Sequence, residues 1–130
     1  VKVALLACCA LLVTVSATGG DPAWTSRYVM VTATGYDPGV QCCGKYADGK
    51  TATNTNAWCP GVAVDPTVIP LGARLDIPGY PRSSGTWILA DDVGSAIVGK
   101  TIDVRFKTRK EALKWGRKKL RVRVWVRVRE

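Results

Sequence analysis

Near the end of the chain Leu120, Val122, Val124, Val126 and Val128 alternate with Arg121, Arg123, Trp125, Arg127 and Arg129. A period of two puts every aliphatic on one face of a strand and a cationic row on the other. Five earlier runs share this β-rich character between Gly and Pro turns: Tyr28 to Thr34, Gly61 to Val64, Arg74 to Ile77, Thr86 to Ala90 and Thr101 to Phe106. One helix interrupts them. Thr108-Arg109-Lys110-Glu111 has the spacing of a capping box, and Gly116 is placed to end the helix. Six short strands at close spacing with one short helix predict a small closed barrel of all-β class. Residues 35 to 60 lack periodicity and are rich in Gly, Asp, Thr, Asn and Cys, which predicts a long loop of the kind that lines a binding site.

The opening segment reads differently. Lys2 supplies a charge, an apolar run extends from Ala4 to Val15, and Ser16-Ala17-Thr18 offers small residues for cleavage. That order predicts a secretory signal peptide over residues 1–17, too short for a comfortable membrane span. Residues 18–27, with Gly19-Gly20-Asp21-Pro22, read as a linker, and 28–130 as one domain. The protein is therefore expected in the cell envelope or secreted, as a monomer with no stable membrane span after cleavage. The formal net charge is +9, and cleavage would remove only Lys2. A strongly basic exported domain favours acidic polymers or anionic surfaces; nucleic acid fits on charge but not on location. Of five cysteines, Cys42, Cys43 and Cys59 would remain, and an oxidising compartment predicts a disulfide from Cys59 to Cys42 or Cys43. A three-thiolate zinc site would lack its histidine, so no metal is expected.

The absence of histidine also excludes Ser-His and Cys-His nucleophile pairs. Glu111 belongs to the helix cap and Glu130 ends the chain, so a general acid or base must come from the eight aspartates. Asp91-Asp92 follows the apolar Trp87-Ile88-Leu89-Ala90 and precedes the flexible Val93-Gly94-Ser95. A carboxyl there, in a partly dry cleft beside a like charge, is expected to hold its proton above the ordinary carboxylate range; the plainer alternative is a solvated turn. Asp65 precedes Pro66 and suits a helical N-cap. Asp103 shares a strand face with Arg105, which suggests an ion pair or a lock between strands.

These segments resemble the 3D domain family, named for its three aspartates. The resemblance rests on Val62-Ala63-Val64-Asp65-Pro66, Val68-Ile69-Pro70-Leu71-Gly72, Ala90-Asp91-Asp92-Val93-Gly94 with Ala96-Ile97 and Gly99, Ile102-Asp103-Val104, and Trp115-Gly116. It covers roughly residues 29 to 126. It implies a six-stranded double-psi β-barrel, shared with the catalytic domain of membrane-bound lytic transglycosylase A and with barwin-like endoglucanases. By position it implies Asp92 as catalytic acid, with Asp65 and Asp103 as its supporting pair. The cleft would be lined by Thr51 and Thr53 on one wall and by Asp91, Gly94, Ser95 and Ala96 on the other. Ser95 stands where the family has a second glycine, and Val98 where it has a lysine.

The activity so implied is lytic cleavage of peptidoglycan glycan strands, without a cofactor, through one aspartate used first as acid and then as base. Two other readings are open. An inverting hydrolase on the same barrel would need two carboxyls roughly 6.5–9.5 Å apart. A non-catalytic module would grip peptidoglycan or anionic wall polymers through Trp87, Trp115 and the arginine face.

Overall fold

A computed structural model describes residues 23–39, 48–81 and 87–128. The expected signal peptide, most of the linker, Cys42 and Cys43 lie outside the described residues. Among the described residues, six strands form the closed barrel that the patterning predicts, with one short helix. They are β1 (Trp24–Tyr36), β2 (Val62–Val64), β3 (Arg74–Asp76), β4 (Ile88–Asp92), β5 (Thr101–Arg105) and β6 (Lys118–Arg127), and helix α1 (Arg109–Trp115) joins β5 to β6. Their order around the barrel is β1-β5-β2-β4-β3-β6. β1 with β5 and β2 with β4 are parallel, and the other pairs are antiparallel. Among the described residues, no helix is long and apolar enough to cross a membrane.

The period of two decides what fills the barrel. Val29, Val31 and Ala33 of β1, Val62 and Val64 of β2, Leu75 of β3, Ile88 and Ala90 of β4, Ile102 and Val104 of β5, and Val122 and Val124 of β6 are all buried. Each of the buried Val, Leu and Ile side chains contributes roughly 1.5–3 kcal/mol relative to exposure, and each Ala less. Leu120 and Val126 are only partly buried and Val128 is exposed, because the last strand runs past the end of the core.

Helix α1 is capped as expected. Thr108 Oγ1 accepts from the Glu111 N–H at 3.2 Å, and Gly116, at φ 70°, donates its N–H to the Ala112 carbonyl. The helix lies on β1 at Gly35, where a Cβ would stand 2.9 Å from the Ala112 carbonyl oxygen. Its Trp115 is buried against Phe106 and Tyr80, with ring centroids 5.8 and 6.2 Å away. Trp115 is therefore a core residue and not part of a gripping surface, whereas Trp87 is exposed.

Strand boundaries shift from the sequence expectation, and the shifts at β1 and β4 change the picture. β1 begins at Trp24, inside the stretch read as linker, because residues 24–27 find partners on β6 from Arg127 to Val124. β4 starts two residues later than expected and includes Asp91 and Asp92, which sequence pattern placed after the strand. Both aspartates stay extended because the ladder to β2 continues past Ala90.

Candidate active site

β2 and β4 run in register with one irregularity: Val62 pairs with Ala90, but the next residue, Ala63, pairs with Asp92. Asp91 is the extra residue, and a bulge of this kind changes which side chain reaches a given face. Val62 and Ala90 point to the core, so Asp92 takes the opposite face beside Ala63. On its other side Ala63 pairs with Asp103 of β5, which in turn pairs with Thr34 of β1. One row across four strands therefore reads Asp92, Ala63, Asp103, Thr34. With strands about 4.8 Å apart, the Cα atoms of the two aspartates stand about 9–10 Å from each other. Both side chains line a cleft of about 550 Å³, and Ala63, too small to fill the space between them, forms part of its lining.

Asp92 is held from three directions. Its Oδ2 accepts from the Tyr36 hydroxyl at 2.9 Å. Its Oδ1 accepts from the N–H of Ala52 at 3.0 Å and of Val93 at 2.9 Å. These bonds fix the carboxyl against the cleft wall. Burial raises the pKa of the Tyr36 phenol, with the nearby Arg105 opposing and Asp92 reinforcing that effect. The phenol therefore remains a proton donor to Asp92 throughout the physiological range.

Asp91 has a different fate. It is buried and forms a two-pronged ion pair with Arg105, at 2.6 Å and 3.0 Å. Arg105 is fully buried; its Nε donates to the Cys59 carbonyl at 2.8 Å, and its Nη1 donates to the Tyr36 oxygen at 3.1 Å. Burial pulls the pKa of the guanidinium down, but the Asp91 carboxylate and Tyr36 more than offset this and hold it above its ordinary value. Gly61 is required here, since a Cβ would lie 1.9 Å from Arg105 Nη2. The sequence expectation that Asp91 acts as a like charge beside Asp92, or lines the cleft, is corrected: its charge is spent on Arg105, and it does not line the cleft. The ion pair suggested between Asp103 and Arg105 is likewise replaced by Asp91–Arg105, the only one among the described residues.

The Asp103 carboxyl holds its proton to a higher pH than an ordinary aspartate does. Burial pushes its pKa up to about 6; the Thr34 hydroxyl, donating to Oδ1 at 2.9 Å, opposes this, and the charge of Asp92 adds to it. Asp65 lies outside the cleft lining. Its Oδ2 accepts from the Gly99 N–H at 2.7 Å, and its Oδ1 from the N–H and hydroxyl of Thr67. Those bonds, led by Gly99, hold the carboxyl below the usual range. Asp65 thus ties the segment that follows Asp92 back to the end of β2.

The threonine loop is built onto β4. Thr53 donates from its N–H and hydroxyl to the Asp91 carbonyl at 3.2 and 3.1 Å, Thr55 donates its hydroxyl to Asp91 Oδ2 at 3.0 Å, and Thr51 and Thr55 share a 2.5 Å hydroxyl contact. Of the residues expected to touch substrate, Thr51, Gly94 and Ser95 line the cleft. Thr53 stands behind it on Asp91, and Ala96 is exposed beyond the lining. Tyr36, Lys50, Ala52 and Ala63 also line it without having been singled out from sequence. Cys59 is exposed, and its expected disulfide partners lie outside the described residues. Among the described residues, no group of three or more His, Cys, Asp or Glu side chains gathers to hold a metal ion.

Residues 61–127 match the model of the 3D domain family, just over half of the chain. The chain is 36% identical over 101 residues to the putative cell wall shaping protein YabE of Bacillus subtilis (strain 168), covering 77% of this chain and 23% of that protein. It is 38% identical over 106 residues to the cell wall-binding protein YocH of the same organism, covering 76% and 33%. It thus spans between about a quarter and a third of the length of these relatives. Among solved structures, the MltA protein of E. coli aligns with 26% identity and a TM-score of 0.44 over 61% of this chain and 28% of that one. A variant of the E. coli lytic transglycosylase MltA in an apo form aligns with 25% identity and a TM-score of 0.45, over 62% and 28%.

Proposed function

The chain belongs to the 3D domain family, and from that membership we propose that it acts at the cell envelope as a lytic transglycosylase domain on the glycan strands of peptidoglycan. Two similar proteins are named for shaping and for binding the cell wall, which supports this substrate class. The observation that carries the reading is the pair Asp92 and Asp103, set on neighbouring sides of Ala63 in one cleft while Asp91 is locked away by Arg105.

Asp92 is the acid and base in contact with substrate. A glycan strand lying in the cleft would displace water around its carboxyl. The carboxyl gives its proton to the oxygen bridging N-acetylmuramic acid to N-acetylglucosamine, and the bond from the muramic C1 to that oxygen breaks. The resulting carboxylate takes the proton of the muramic C6 hydroxyl, whose oxygen bonds to C1. A 1,6-anhydro end forms, and Asp92 regains the proton it gave. Tyr36, Ala52 and Val93 keep the carboxyl oriented through both steps. Asp103 supports Asp92 electrostatically from across Ala63, Asp65 braces the loop after β4, and Lys50 in the cleft lining complements acidic substrate groups.

One observation favours a second reading. Asp103 keeps a proton to about pH 6, while Asp92 sits among hydrogen-bond donors. That contrast fits a two-carboxyl inverting hydrolase, with Asp103 as acid and Asp92 as base, whose carboxyls need a gap of roughly 6.5–9.5 Å for water. Mass spectrometry of digested sacculi separates the two. Anhydro-muropeptides released by the wild type and lost in Asp92→Asn support the transglycosylase. Reducing ends without anhydro products support the hydrolase. Unchanged release by Asp92→Asn would remove Asp92 from the chemistry, and no release by the wild type would leave only a wall-binding role.

A further inference from the structure

Away from the cleft, the outer face of β1, β3 and β6 carries a chain of stacked aromatics and guanidiniums. Arg74 lies between two indoles, 4.1 Å from the Trp24 ring and 4.0 Å from the Trp87 ring. Arg127 pairs across the sheet with Trp24 and stands 6.0 Å from the same ring. Farther along, Arg123 stacks on Trp125 at 4.1 Å and donates from Nε to the Ser26 hydroxyl, and Arg121 stacks on Tyr28 at 4.1 Å. The register joins both groups into one face, because Arg74 of β3 pairs with Trp125 of β6. A groove of about 1260 Å³ runs past Trp24, Arg74, Trp87 and Arg127 and shares no lining residue with the cleft.

Two features separate this face from an ordinary solvated strand. None of the four arginines forms an ion pair with a described carboxylate, although Asp76 pairs with Arg123 across the β3–β6 ladder. In addition, stacking on a ring holds a guanidinium flat, with its fork of donors already arranged for a planar or tetrahedral anion. Alternate residues of β6 repeat at about 6.6–6.8 Å, so Arg121 and Arg123 present charge at a regular step.

We propose that this face binds a flexible phosphodiester-linked polyol polymer of the cell-wall kind, independently of any catalysis in the cleft. Charge complementarity selects a polyanion. The protein's own guanidiniums already cover one face of these rings, so a strand that offers anionic oxygens gains the most and one that relies on base stacking gains less. Two similar proteins named for the cell wall support a wall polymer as the occupant.

The test measures binding of poly(glycerol phosphate) by intrinsic tryptophan fluorescence at several salt concentrations. Arg74→Gln, Arg123→Gln and Arg127→Gln together should weaken binding at least tenfold and make its salt dependence shallower. Lys107→Gln, Lys110→Gln and Lys114→Gln remove the same charge around helix α1 and should leave binding within about twofold. Replacing the same three arginines by lysine keeps charge and fold while loosening the stacks, and should weaken binding several-fold. Asp92→Asn should bind as the wild type does. Equal loss in the helix variants would overturn the proposal in favour of net charge alone. Wild-type affinity in the lysine variant would remove the stacked guanidiniums from it. Tighter binding of a single-stranded oligonucleotide of matched charge would replace the polymer by nucleic acid.

Discussion

Asp103→Asn is the substitution whose consequence follows most directly from the geometry. In the folded protein the Asp103 pKa stands at about 6 against an ordinary value of 3.8, chiefly through burial. Below pH 4 the carboxyl is protonated whether the chain is folded or unfolded, and it costs nothing. Between pH 4 and 6 the unfolded chain releases the proton while the folded chain retains it, so stability falls as pH rises. Above pH 6 the loss is complete, and linkage sets it at about 3 kcal/mol before discounting for partial exposure. Asparagine keeps the size and an acceptor for the Thr34 hydroxyl but cannot ionise. Urea denaturation followed by tryptophan fluorescence should find Asp103→Asn equal to the wild type near pH 4. By pH 7 the variant should be more stable by about 1–3 kcal/mol. Carboxylates other than Asp92, whose charge acts on Asp103, contribute equally to both proteins, so the difference reads the Asp103 charge. A difference that is flat with pH, or a variant less stable at pH 7, would refute the assignment. The same substitution should lower glycan cleavage, so that stability and activity move in opposite directions.

Tyr36→Phe removes the hydroxyl that donates to Asp92 Oδ2 and accepts from Arg105. Muropeptide release should fall about tenfold in kcat with little change in KM, the worth of one orienting hydrogen bond of about 1.4 kcal/mol. Arg105→Met leaves the Asp91 carboxylate buried without its partner and should cost about 3–5 kcal/mol in urea denaturation. Adding Asp91→Asn should restore part of that loss, whereas a double variant no better than Arg105→Met would show that the ion pair is not what stabilises the loop.

The barrel was legible because its signal is local. Ile102 and Val104, or Val122 and Val124, alternate with polar neighbours, and burial follows that alternation residue by residue. Burial by a distant segment leaves no such trace. Trp24 to Arg27 carry mixed side chains with no clear alternation, and only pairing with β6, about a hundred residues later, makes them strand. Asp91 and Asp92 are chemically identical neighbours at the end of an apolar run, so composition suggests a turn. Their separate roles come from a one-residue irregularity against Val62 and Ala63, and from Arg105 reaching Asp91 from β5. Alternation did place Arg105 and Asp103 on one face. It gave no sign that the threonine loop covers that face at Asp91 and Arg105 but leaves it open at Asp103. Tyr36, the last residue of β1, has no distinguishing pattern at all.

The division of labour in the cleft follows from what carries each wall. Asp92 and Asp103 ride on strands of a closed barrel, so their spacing is set by two inter-strand steps across β2 and changes only if the barrel itself does. Ala63 between them fixes how deep a substrate group can sit, because a larger side chain there would fill the gap. The remaining walls are loops, one pinned to β4 through Thr53 and Thr55 and the other tied to β2 through Gly99 and Asp65. Loops of this kind tolerate substitution far better than ladder positions do. The Ser95 and Val98 departures fall in the second loop. Under the proposed function, Ser95, which lines the cleft, is expected to act on which glycan segment is accepted and not on the proton chemistry assigned to the strand-borne pair, whereas Val98 is exposed outside the lining.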